Sequence, residues 1–407
     1  MKGKQTRTNS GLCEIQMAKL GEVCEIVSGS TPKTGNDEYW NGNLCWITPA
    51  EISDDDIIIT DTNRKISEVG AKSCSLTLMP VGTVLLSSRA PIGKVAITGT
   101  EMYCNQGFKN LICSDAIYNK YLFWFLKHNN EYLNSLGRGA TFKEISKSIV
   151  SDIEIPLPSL EEQHEISANL DKLQSIIAHR KQQLLKLDEL VKARFVEMFG
   201  EPISNPMGWQ IKPLKELSTL ITNGNTPKGG SENYVDSGIV FLRSQNVWRN
   251  RIDLSDVAYI DEATNQKMRK SIVKHKDILI TKTGRINTEN SSLGRAALYL
   301  GEDDSANING HVYLVRLNDT VIPEFVVTIL TGEAYRKYIR KVCVGGIDKR
   351  QINLDQVEDF PIILPPIEQQ KAFAAFSNQL DKSKVAVQKA LDEAQLLFDS
   401  LMQEYFG

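Results

Sequence analysis

Basic side chains gather in two stretches of this 407-residue sequence, and their chemistry suits a nucleic acid. One stretch runs from 267 to 285 and the other from 336 to 350, although the whole chain carries a formal net charge of −3. Several cations on one surface displace counterions from DNA and so bind it whatever its sequence. The candidates for DNA contact in the second half of the chain are Lys228, Lys270, Lys282, Arg285, Arg295, Lys349 and Arg350.

Side chains suited to base edges follow a strand-like segment in the same half, and they are Arg243, Gln245 and Asn246. An Arg can bind guanine through two hydrogen bonds, and a Gln or Asn can bind adenine in the same way. Thr48 and Glu51 stand at the corresponding strand end of the first half. Further candidates for DNA contact in the first half are Thr31, Lys33, Arg89, Lys94, Arg138, Thr141 and Lys143. A solvated surface position explains any one of these residues equally well, but the clusters as groups favour DNA.

Motifs for catalysis by the chain itself are not found in the sequence. It has no G-x-x-x-x-G-K-[ST] loop for a nucleotide. Its only Pro-Pro pair, Pro365-Pro366, precedes a predicted helix and does not form the Asn/Asp-Pro-Pro-aromatic motif of an adenine methyltransferase. The histidines are scattered without the spacing of metal ligands. We therefore predict that the chain binds no metal or cofactor of its own and is not an enzyme.

The elements that must position these residues occur twice. Thr31-Pro32-Lys33 matches Thr226-Pro227-Lys228, and Trp46-Ile47 matches Phe241-Leu242. Strand-like segments, a helical segment and a closing strand with a proline stop follow in the same order in both halves, so the sequence contains an internal duplication. Short β-branched strands among a few helices predict an α+β globule in each half.

A long helix is predicted after each globule. Apolar residues recur every three or four positions from Ser159 to Phe199 and again from Ile367 to about Phe406, which is the stripe of a coiled coil. Ser159 and Glu162 have the spacing of a capping box at the first start. About forty residues make a rod of roughly 60 Å. If the stripes pack antiparallel, the globules lie at opposite ends of the rod; alternatively, each helix folds back on its own globule.

Cysteine usage and hydropathy indicate where the protein works. Seven cysteines without a C-x-x-C pair predict reduced, buried thiols instead of a disulfide framework or a zinc site. No apolar run approaches the eighteen residues that a membrane helix needs. We therefore expect a cytoplasmic protein that has no membrane contact.

The sequence resembles the specificity subunits of type I restriction-modification systems. The segments that carry the resemblance are STPKTGNDEYWNGNLCWITPAEI, RGATFKEISKSIVSDIEIPLPSLEEQHEI and the second copy ending in PIILPPIEQQ. The likeness covers nearly the whole chain from Met17 onward. It implies two similar mixed α/β target recognition domains separated by two long antiparallel coiled-coil helices, with a pseudo-two-fold internal repeat. The divisions are then 1–16 for a disordered tail or extension, 17–158 and 200–365 for the recognition domains (200–209 as a linker), and 159–199 and 366–407 for the spacer helices.

The resemblance also implies a function and partners. Each domain would read one half of a bipartite asymmetric site in double-stranded DNA. The helices would dock two modification subunits, which bind S-adenosylmethionine and methylate adenine, and restriction subunits that use ATP and Mg²⁺ would join them. Phe195 and Val196, which lie off the apolar stripe, are the candidates for partner contact. Two other functions stay open, a self-contained DNA methyltransferase or nuclease with an unrecognised site and a duplicated protein-binding scaffold.

Overall fold

The computed structural model describes residues 16–54, 56–74, 76–89, 91–139, 143–227, 229–288 and 290–407. The predicted tail, apart from Gln16, and the candidate DNA contacts Thr141 and Lys228 lie outside the described residues. The chain forms two compact units. Unit 1 contains the residues before 182 together with Lys389–Gly407, and unit 2 contains Gln182–Gln388. Each unit therefore combines one globule with a part of each long helix.

The globule of unit 1 mixes short strands with short helices, as the sequence predicts. In chain order its elements are β1 (Met17–Lys19), α1 (Leu20–Val23), β2 (Cys24–Ser28), β3 (Trp40–Ile47), β4 (Ile58–Ile59), β5 (Arg64–Ile66), α2 (Glu68–Ser73), β6 (Val84–Leu86), β7 (Val95–Thr98), β8 (Tyr103–Cys104), β9 (Lys109–Cys113), α3 (Asn119–His128), α4 (Asn130–Ser135), α5 (Lys147–Ser151) and β10 (Glu154–Pro156). The strands form a sheet of order β2-β9-β6-β7-β4, a sheet of order β5-β3-β8 and the pair β1-β10. The long helix α6 (Leu160–Phe199) follows.

The globule of unit 2 repeats this plan. In chain order its elements are β11 (Gln210–Pro213), β12 (Ser218–Asn223), β13 (Ile239–Leu242), β14 (Ala258–Ile260), α7 (Glu262–Lys267), β15 (Ile272–Val273), β16 (Ile278–Thr281), β17 (Thr283–Arg285), β18 (Ala296–Leu298), β19 (Ala306–Ile308), β20 (Val312–Leu317), α8 (Pro323–Thr331), α9 (Glu333–Val342), β21 (Val344–Gly345), β22 (Lys349–Gln351), α10 (Leu354–Glu358) and β23 (Pro361–Leu364). The sheets have the orders β12-β20-β16-β18, β14-β13-β19-β15 and β17-β22-β21, and β11 pairs with β23. The second long helix, α11 (Ile367–Phe406), ends the chain.

Helix α6 begins where the sequence predicts, and its apolar stripe is buried at Leu170 and Ile177 and half-buried elsewhere. The N–H of Glu162 donates to the Ser159 hydroxyl at 3.3 Å, and the Glu162 carboxylate accepts from the N–H of Ser159 at 3.0 Å. These two bonds satisfy backbone donors that the first helical turn otherwise leaves free. Arg194, which interrupts the stripe, pairs with Glu197 at 2.8 Å and lies over the ring of Phe376. An arginine is therefore accommodated in the seam without a buried, unpaired charge.

The two long helices pack antiparallel within each unit. In unit 1 the start of α6 lies against the end of α11, because Leu170 shares a hydrophobic core with Met402. In unit 2 the end of α6 lies against the start of α11, where the ring centroids of Phe195 and Phe373 are 5.3 Å apart. Each helix contributes to both units, so the alternative in which a helix folds back on its own globule alone is wrong.

A buried glutamine fastens the first turn of each long helix to a globule. In α6, Gln163 is fully buried, donates to the Pro158 carbonyl at 2.9 Å and accepts from the N–H of Tyr118 at 2.8 Å. In α11, Gln370 is also fully buried, donates to a proline carbonyl ahead of its helix at 2.8 Å and accepts from the N–H of Ile322 at 3.0 Å. Tyr118 and Ile322 immediately precede α3 and α8. The same side-chain amide therefore joins the same two helices in each half.

The cysteines that the structure describes are all free thiols. Cys24, Cys104 and Cys343 are buried, and the others are half-buried. Burial raises the pKa of the Cys104 thiol to about 12, so this thiol stays protonated at neutral pH. No helix in the described part of the chain is long and apolar enough to cross a membrane.

We expect Gln370→Ala to lower the free energy of unfolding by about 1 to 3 kcal/mol, because the N–H of Ile322 loses its acceptor and the buried Pro365 carbonyl loses its donor. Urea denaturation of the full chain measures the change, and hydrogen exchange at Ile322 locates it. Gln369→Ala is the matched control, because its side chain is exposed in the same helical turn and should cost less than about 0.5 kcal/mol. Equal destabilisation by the two variants would contradict the fastening role.

Candidate nucleic-acid interface

A tight turn at 105–107 joins the candidate DNA contacts of unit 1. Its backbone makes three hydrogen bonds to separate segments, from Asn105 N–H to the Ile47 carbonyl at 3.1 Å, from Ser30 N–H to the Cys104 carbonyl at 3.1 Å, and from Ser88 N–H to the Gly107 carbonyl at 2.7 Å. The loop with Thr31 and Lys33, the strand end with Thr48 and Glu51, and the segment with Arg89 therefore meet at this turn. We call it the reading turn of unit 1.

Gly29 lets the Thr31 loop approach the reading turn. A Cβ atom at Gly29 would lie 2.1 Å from the Cys104 carbonyl oxygen, which is far below a van der Waals contact. Gly35 in the same loop has no atom within 4 Å of its Cβ position. The Thr31 hydroxyl donates to the side-chain oxygen of Gln106, which is exposed at the turn. The close approach thus depends on glycine at 29 and not at 35.

Unit 2 contains a similar arrangement at 309–311, which we call the reading turn of unit 2, and two of its three backbone bonds correspond to those of unit 1. Its three backbone hydrogen bonds run from Asn309 N–H to the Leu242 carbonyl at 3.0 Å, from Gly224 N–H to the Val312 carbonyl at 3.1 Å, and from Lys282 N–H to the His311 carbonyl at 2.8 Å. A Cβ atom at Gly224 would lie 2.0 Å from the Ile308 carbonyl oxygen, so this loop also needs its glycine. The strand end before Arg243 and the segment with Lys282 meet here as their counterparts do in unit 1.

A basic ribbon adjoins the reading turn of unit 2. It consists of β17, β21 and β22. In the antiparallel strand register, Arg285 lies opposite Lys349, and Gly345 lies opposite Arg350. The N–H of Ile352 donates to the Lys282 carbonyl at 2.9 Å, so the ribbon begins directly beside the reading turn. Residues that lie more than sixty positions apart in the sequence therefore form one cationic surface.

Unit 1 has a corresponding basic ribbon in shorter form. Arg89 and Arg138 each form a β-bridge with Glu144, and the N–H of Ile145 donates to the Ser88 carbonyl at 2.9 Å. The Glu144 carboxylate pairs with the largely buried ammonium of Lys109 at 3.1 Å. That pairing offsets the one carboxylate inside the ribbon, so the exposed charges of Arg138 and its neighbours set the local potential.

The buried Tyr313 lies beneath the start of the basic ribbon of unit 2. The Lys282 ammonium lies 5.7 Å from the centroid of the Tyr313 ring, which attracts it through the ring face. Burial raises the pKa of Tyr313 to about 12, so its hydroxyl stays protonated and donates to the Ile352 carbonyl at 2.8 Å. This bond fixes the start of the ribbon to the sheet beneath it.

One carboxylate orients the base-reading candidates of unit 2. Asp256 accepts from the Arg243 guanidinium at 3.2 Å and from the Gln245 amide at 2.7 Å. Both Gln245 and Asp256 are exposed at the end of β13. Held in this way, a guanidinium and an amide present donors side by side, which is the chemistry that purine edges in the major groove accept.

The structure corrects two predicted contacts. Asn246 is 2% exposed, and its amide donates to the Asp256 carbonyl at 2.8 Å. Arg295 is 8% exposed, donates to the Ser291 carbonyl at 3.0 Å and stacks over Trp248 at 3.9 Å from the ring centroid. The prediction that these two side chains contact DNA is wrong, because both are committed to internal bonds that hold the reading loops in place.

Three other candidates lie at or beyond the margin of these surfaces. The Lys94 ammonium donates to the Ile52 carbonyl at 2.6 Å, close to the strand end of unit 1. The Glu51 carboxylate accepts from the backbone N–H groups of Thr48 at 3.0 Å and Asn63 at 2.7 Å, so it also shapes the strand end. Lys270 is exposed on a short 3-10 turn ahead of β15 and takes no part in the contacts described above. DNA contact by Lys94, Glu51 and Lys270 stays a prediction.

Phe195 and Val196 have different environments. Phe195 is 4% exposed, and its ring packs against Phe199, Phe325 and Phe373 at centroid distances of 5.1, 5.6 and 5.3 Å. The prediction that Phe195 lies on the outer surface is wrong, because the unit 2 globule covers that side of α6. Val196 is 54% exposed and stays a candidate for partner contact.

Sequence reasoning missed three residues of these sites, namely Gln106, His311 and Asp256. The repeat carries a signal for the first two, because CNQGF at 104–108 and INGHV at 308–312 occupy matching places after a strand. Asp256 has no local signal. Among the described residues, no three His, Cys, Asp or Glu side chains are grouped so as to hold a metal ion. The surfaces offer cations, amides and hydroxyls, which bind phosphates and base edges.

A duplicated cationic surface with oriented amides, built on a pair of long helices, is the architecture of a DNA-recognition protein. The family model described as type I restriction modification DNA specificity domain matches residues 13–188 and 206–394. The chain belongs to this family. Its members are DNA-recognition subunits and not catalysts, so the predicted class of function and the predicted fold class are confirmed.

Individual proteins agree with the family assignment. The chain is 30% identical over 411 residues to the type I restriction enzyme MjaIX specificity subunit of Methanocaldococcus jannaschii, covering 94% of this chain and 90% of that protein. It is 23% identical to the MjaVIII specificity subunit of the same organism over 92% of this chain and 89% of that protein. The crystal structure of an S subunit from M. genitalium shares the fold, with a TM-score of 0.60, 15% identity and coverage of 100% and 99% of the two chains.

We expect Gly29→Ala to weaken specific DNA binding by about tenfold, because the added Cβ pushes the Thr31 loop off the reading turn. Fluorescence anisotropy with a duplex that contains the target site measures the loss. Gly35→Ala is the matched control in the same loop, and it should stay within about twofold of the parent protein because its Cβ enters open space. A similar loss in both variants would show that the close approach at Gly29 does not matter.

Proposed function

We propose that this chain reads a bipartite, asymmetric site in double-stranded DNA, with one half-site bound by each unit. The observation that carries the proposal is the repeated reading turn, which gathers a loop, a strand end and a basic ribbon in both units. Cations of the ribbons bind phosphates and set the position on the duplex, and the side chains around the turns read base edges. The residues assigned to phosphates in this way are Arg138, Lys143, Arg285, Lys349 and Arg350.

The side chains around the two reading turns differ, which supports two different half-sites. Unit 1 presents Thr31 and Gln106, whereas unit 2 presents Arg243, Gln245 and the exposed His311. A guanidinium favours guanine, and a glutamine amide favours adenine. The bonds from Asn105 and Ser88 in unit 1 correspond to those from Asn309 and Lys282 in unit 2, so the two units hold different side chains on similar turns.

The long helices set the distance between the half-sites. Each of α6 and α11 has 40 residues. A helix of that length rises about 60 Å, and successive major-groove faces on one side of a duplex recur every ~34 to 36 Å. The half-sites then lie between about one and two helical turns apart, with unread base pairs between them.

Exposed apolar side chains on the long helices support docking of partner subunits. In unit 2 they include Leu185, Leu190 and Val196 on α6 and Val385 on α11. Leu185 and Val196 lie on one face of α6, and a surface that groups exposed aliphatic side chains is suited to a protein partner. Two modification subunits, which bind S-adenosylmethionine and methylate adenine, are the partners that we assign to it. Restriction subunits that use ATP and Mg²⁺ complete the assembly, which works on DNA in the cytoplasm.

The two competing functions have less support. Members of this family are not self-contained methyltransferases or nucleases. Purified chain incubated with DNA, Mg²⁺ and S-adenosylmethionine should therefore give no turnover without partner subunits. A protein-binding scaffold accounts for the duplication but not for the basic ribbons.

We expect removal of this chain from its host to abolish adenine methylation at one bipartite motif, because the modification subunits then lack the protein that directs them to it. Methylome sequencing of host cells with and without the chain measures this directly. Re-expression of the intact chain should restore the same motif, and expression of Gly35→Ala should restore it equally well. An unchanged methylome would overturn the proposed function.

We expect the deletion of one heptad from each long helix, within Leu173–Leu187 and Val387–Leu401, to shorten the unread spacer by about three base pairs or to prevent assembly. Seven residues rise about 10.5 Å, and one base pair about 3.4 Å. The methylation motif reports the spacer length. Deletion from α6 alone is the control, because the seam then loses its register and assembly should fail. An unchanged spacer with normal methylation would refute the spacing role.

A further inference from the structure

Four arginines from three separate segments of unit 2 converge beside the basic ribbon, and we call them the arginine cluster. Arg249 lies in the loop that follows β13, and Arg295 immediately precedes β18. Arg336 and Arg340 lie one turn apart on α9. Arg295 is one of the predicted DNA contacts, and Arg336 and Arg340 belong to the basic stretch 336–350, but only the fold brings these arginines together with Arg249.

Backbone and side-chain packing bring these segments together. The N–H of Asn250 donates to the Ala296 carbonyl at 2.9 Å, which fixes the loop with Arg249 next to Arg295. A Cβ atom at Gly294 would lie 2.9 Å from the Ile339 side chain, so α9 packs directly on the residue before Arg295. Arg336 and Arg340 flank Ile339 on the helix. Each arginine is thus held at the cluster by the position of its own element.

The cluster lacks a carboxylate that would neutralise it. The arginines that form ion pairs among the described residues do not include Arg249, Arg336 or Arg340. Glu333 is the nearest acid on α9, and it pairs with the exposed Lys337 at 3.5 Å. Partial desolvation and the charge of neighbouring guanidinium groups lower the pKa of Arg249 and Arg336, and the charge of Glu333 opposes this shift only in part. Guanidinium groups stay charged at neutral pH, so the cluster concentrates positive charge, and Arg249, Arg336 and Arg340 have no ion-paired carboxylate in the described part of the chain.

Arg295 is the most buried arginine of the cluster, and its contacts hold the Trp248 loop in place beside the other three. The Arg295 guanidinium stacks over Trp248 and donates to the Ser291 carbonyl at 3.0 Å. Its hydrogen-bonding groups face the protein, whereas Arg249 and Arg340 are exposed. Like charges held together by the fold cost stability unless an anion binds among them. A group with several oxygens and at least one full negative charge fits such an arrangement of planar donors.

We propose that Arg249, Arg336 and Arg340, braced by Arg295, bind a phosphate of the DNA backbone. The inference rests on the proposed function and extends its unit 2 surface. A hydrogen bond and a direct chain connection join the cluster to the basic ribbon. The Ser292 hydroxyl, close to Arg295, donates to the Thr283 carbonyl of β17 at 2.7 Å, and α9 leads through Cys343 into β21. This continuity favours DNA over an acidic protein surface, because the ribbon and the cluster face one ligand.

The test is DNA binding by Arg336→Gln in the full-length chain, alone and assembled with modification subunits. Fluorescence anisotropy is measured over about 50 to 400 mM KCl, with a target duplex and with a duplex whose unit 2 half-site is scrambled. We expect affinity for both duplexes to fall by about tenfold and the salt slope to decrease by about 0.9, because one phosphate contact is lost. The preference for the target duplex should not change. Arg340→Gln provides a second variant on the same helix, and thermal melting verifies that both fold.

Lys337→Gln is the matched control, because it removes the same formal charge from α9 at a lysine already paired with Glu333. We expect it to change affinity by less than about threefold. Equal salt slopes for Arg336→Gln and Lys337→Gln would overturn the proposal. So would loss of co-purifying modification subunits with unchanged DNA affinity, because the cluster would then be a subunit contact. A parent protein without preference for the target duplex would instead refute the proposed function, and the salt slopes would still decide the phosphate site.

Discussion

A helix with a single apolar stripe is unstable in water until the stripe is covered, and both long helices of this chain carry one. Each covers the other, and because they run antiparallel, each globule rests on the start of one helix and the end of the other. The aromatic contacts reflect this, with Tyr121 packed on Phe406 at 5.3 Å in unit 1 and Phe199 packed on Phe325 at 4.9 Å in unit 2. The glutamines Gln163 and Gln370 then fix the first turn of each helix.

The candidate sites for DNA are assembled mainly by backbone hydrogen bonds. At each reading turn the peptide groups of a loop, a strand end and a ribbon are joined, and the demands on side chains are few, chiefly glycine at 29 and 224. Side chains that point outward from such a frame can differ without disturbing it. One fold can therefore present Thr31 and Gln106 in one unit and Arg243 and Gln245 in the other.

Periodic features of the fold could be predicted from the sequence, and long-range pairings could not. The capping box at Ser159, the two stripes and the duplication are local or repeated patterns, and each was found where predicted. The burial of Asn246, Arg295 and Phe195 depends on partners elsewhere in the chain, such as Trp248 and Phe325. The pairing of Arg285 with Lys349 joins segments that share no sequence signal. Charge and amide content alone therefore do not reveal which side chains stay exposed in the folded chain.

The division of the chain between the units also sets an order of events during synthesis. Unit 2 is made of one continuous stretch, Gln182–Gln388, and its main core draws on no residue beyond Phe373. The core of unit 1 includes Met402 and Phe406, which are translated after every residue of unit 2. The domain that is translated first is thus completed last, after its neighbour already has every residue it needs. Until then the core of unit 1 lacks Met402 and Phe406, so the docking of Lys389–Gly407 completes the folding of a unit whose other residues were translated much earlier.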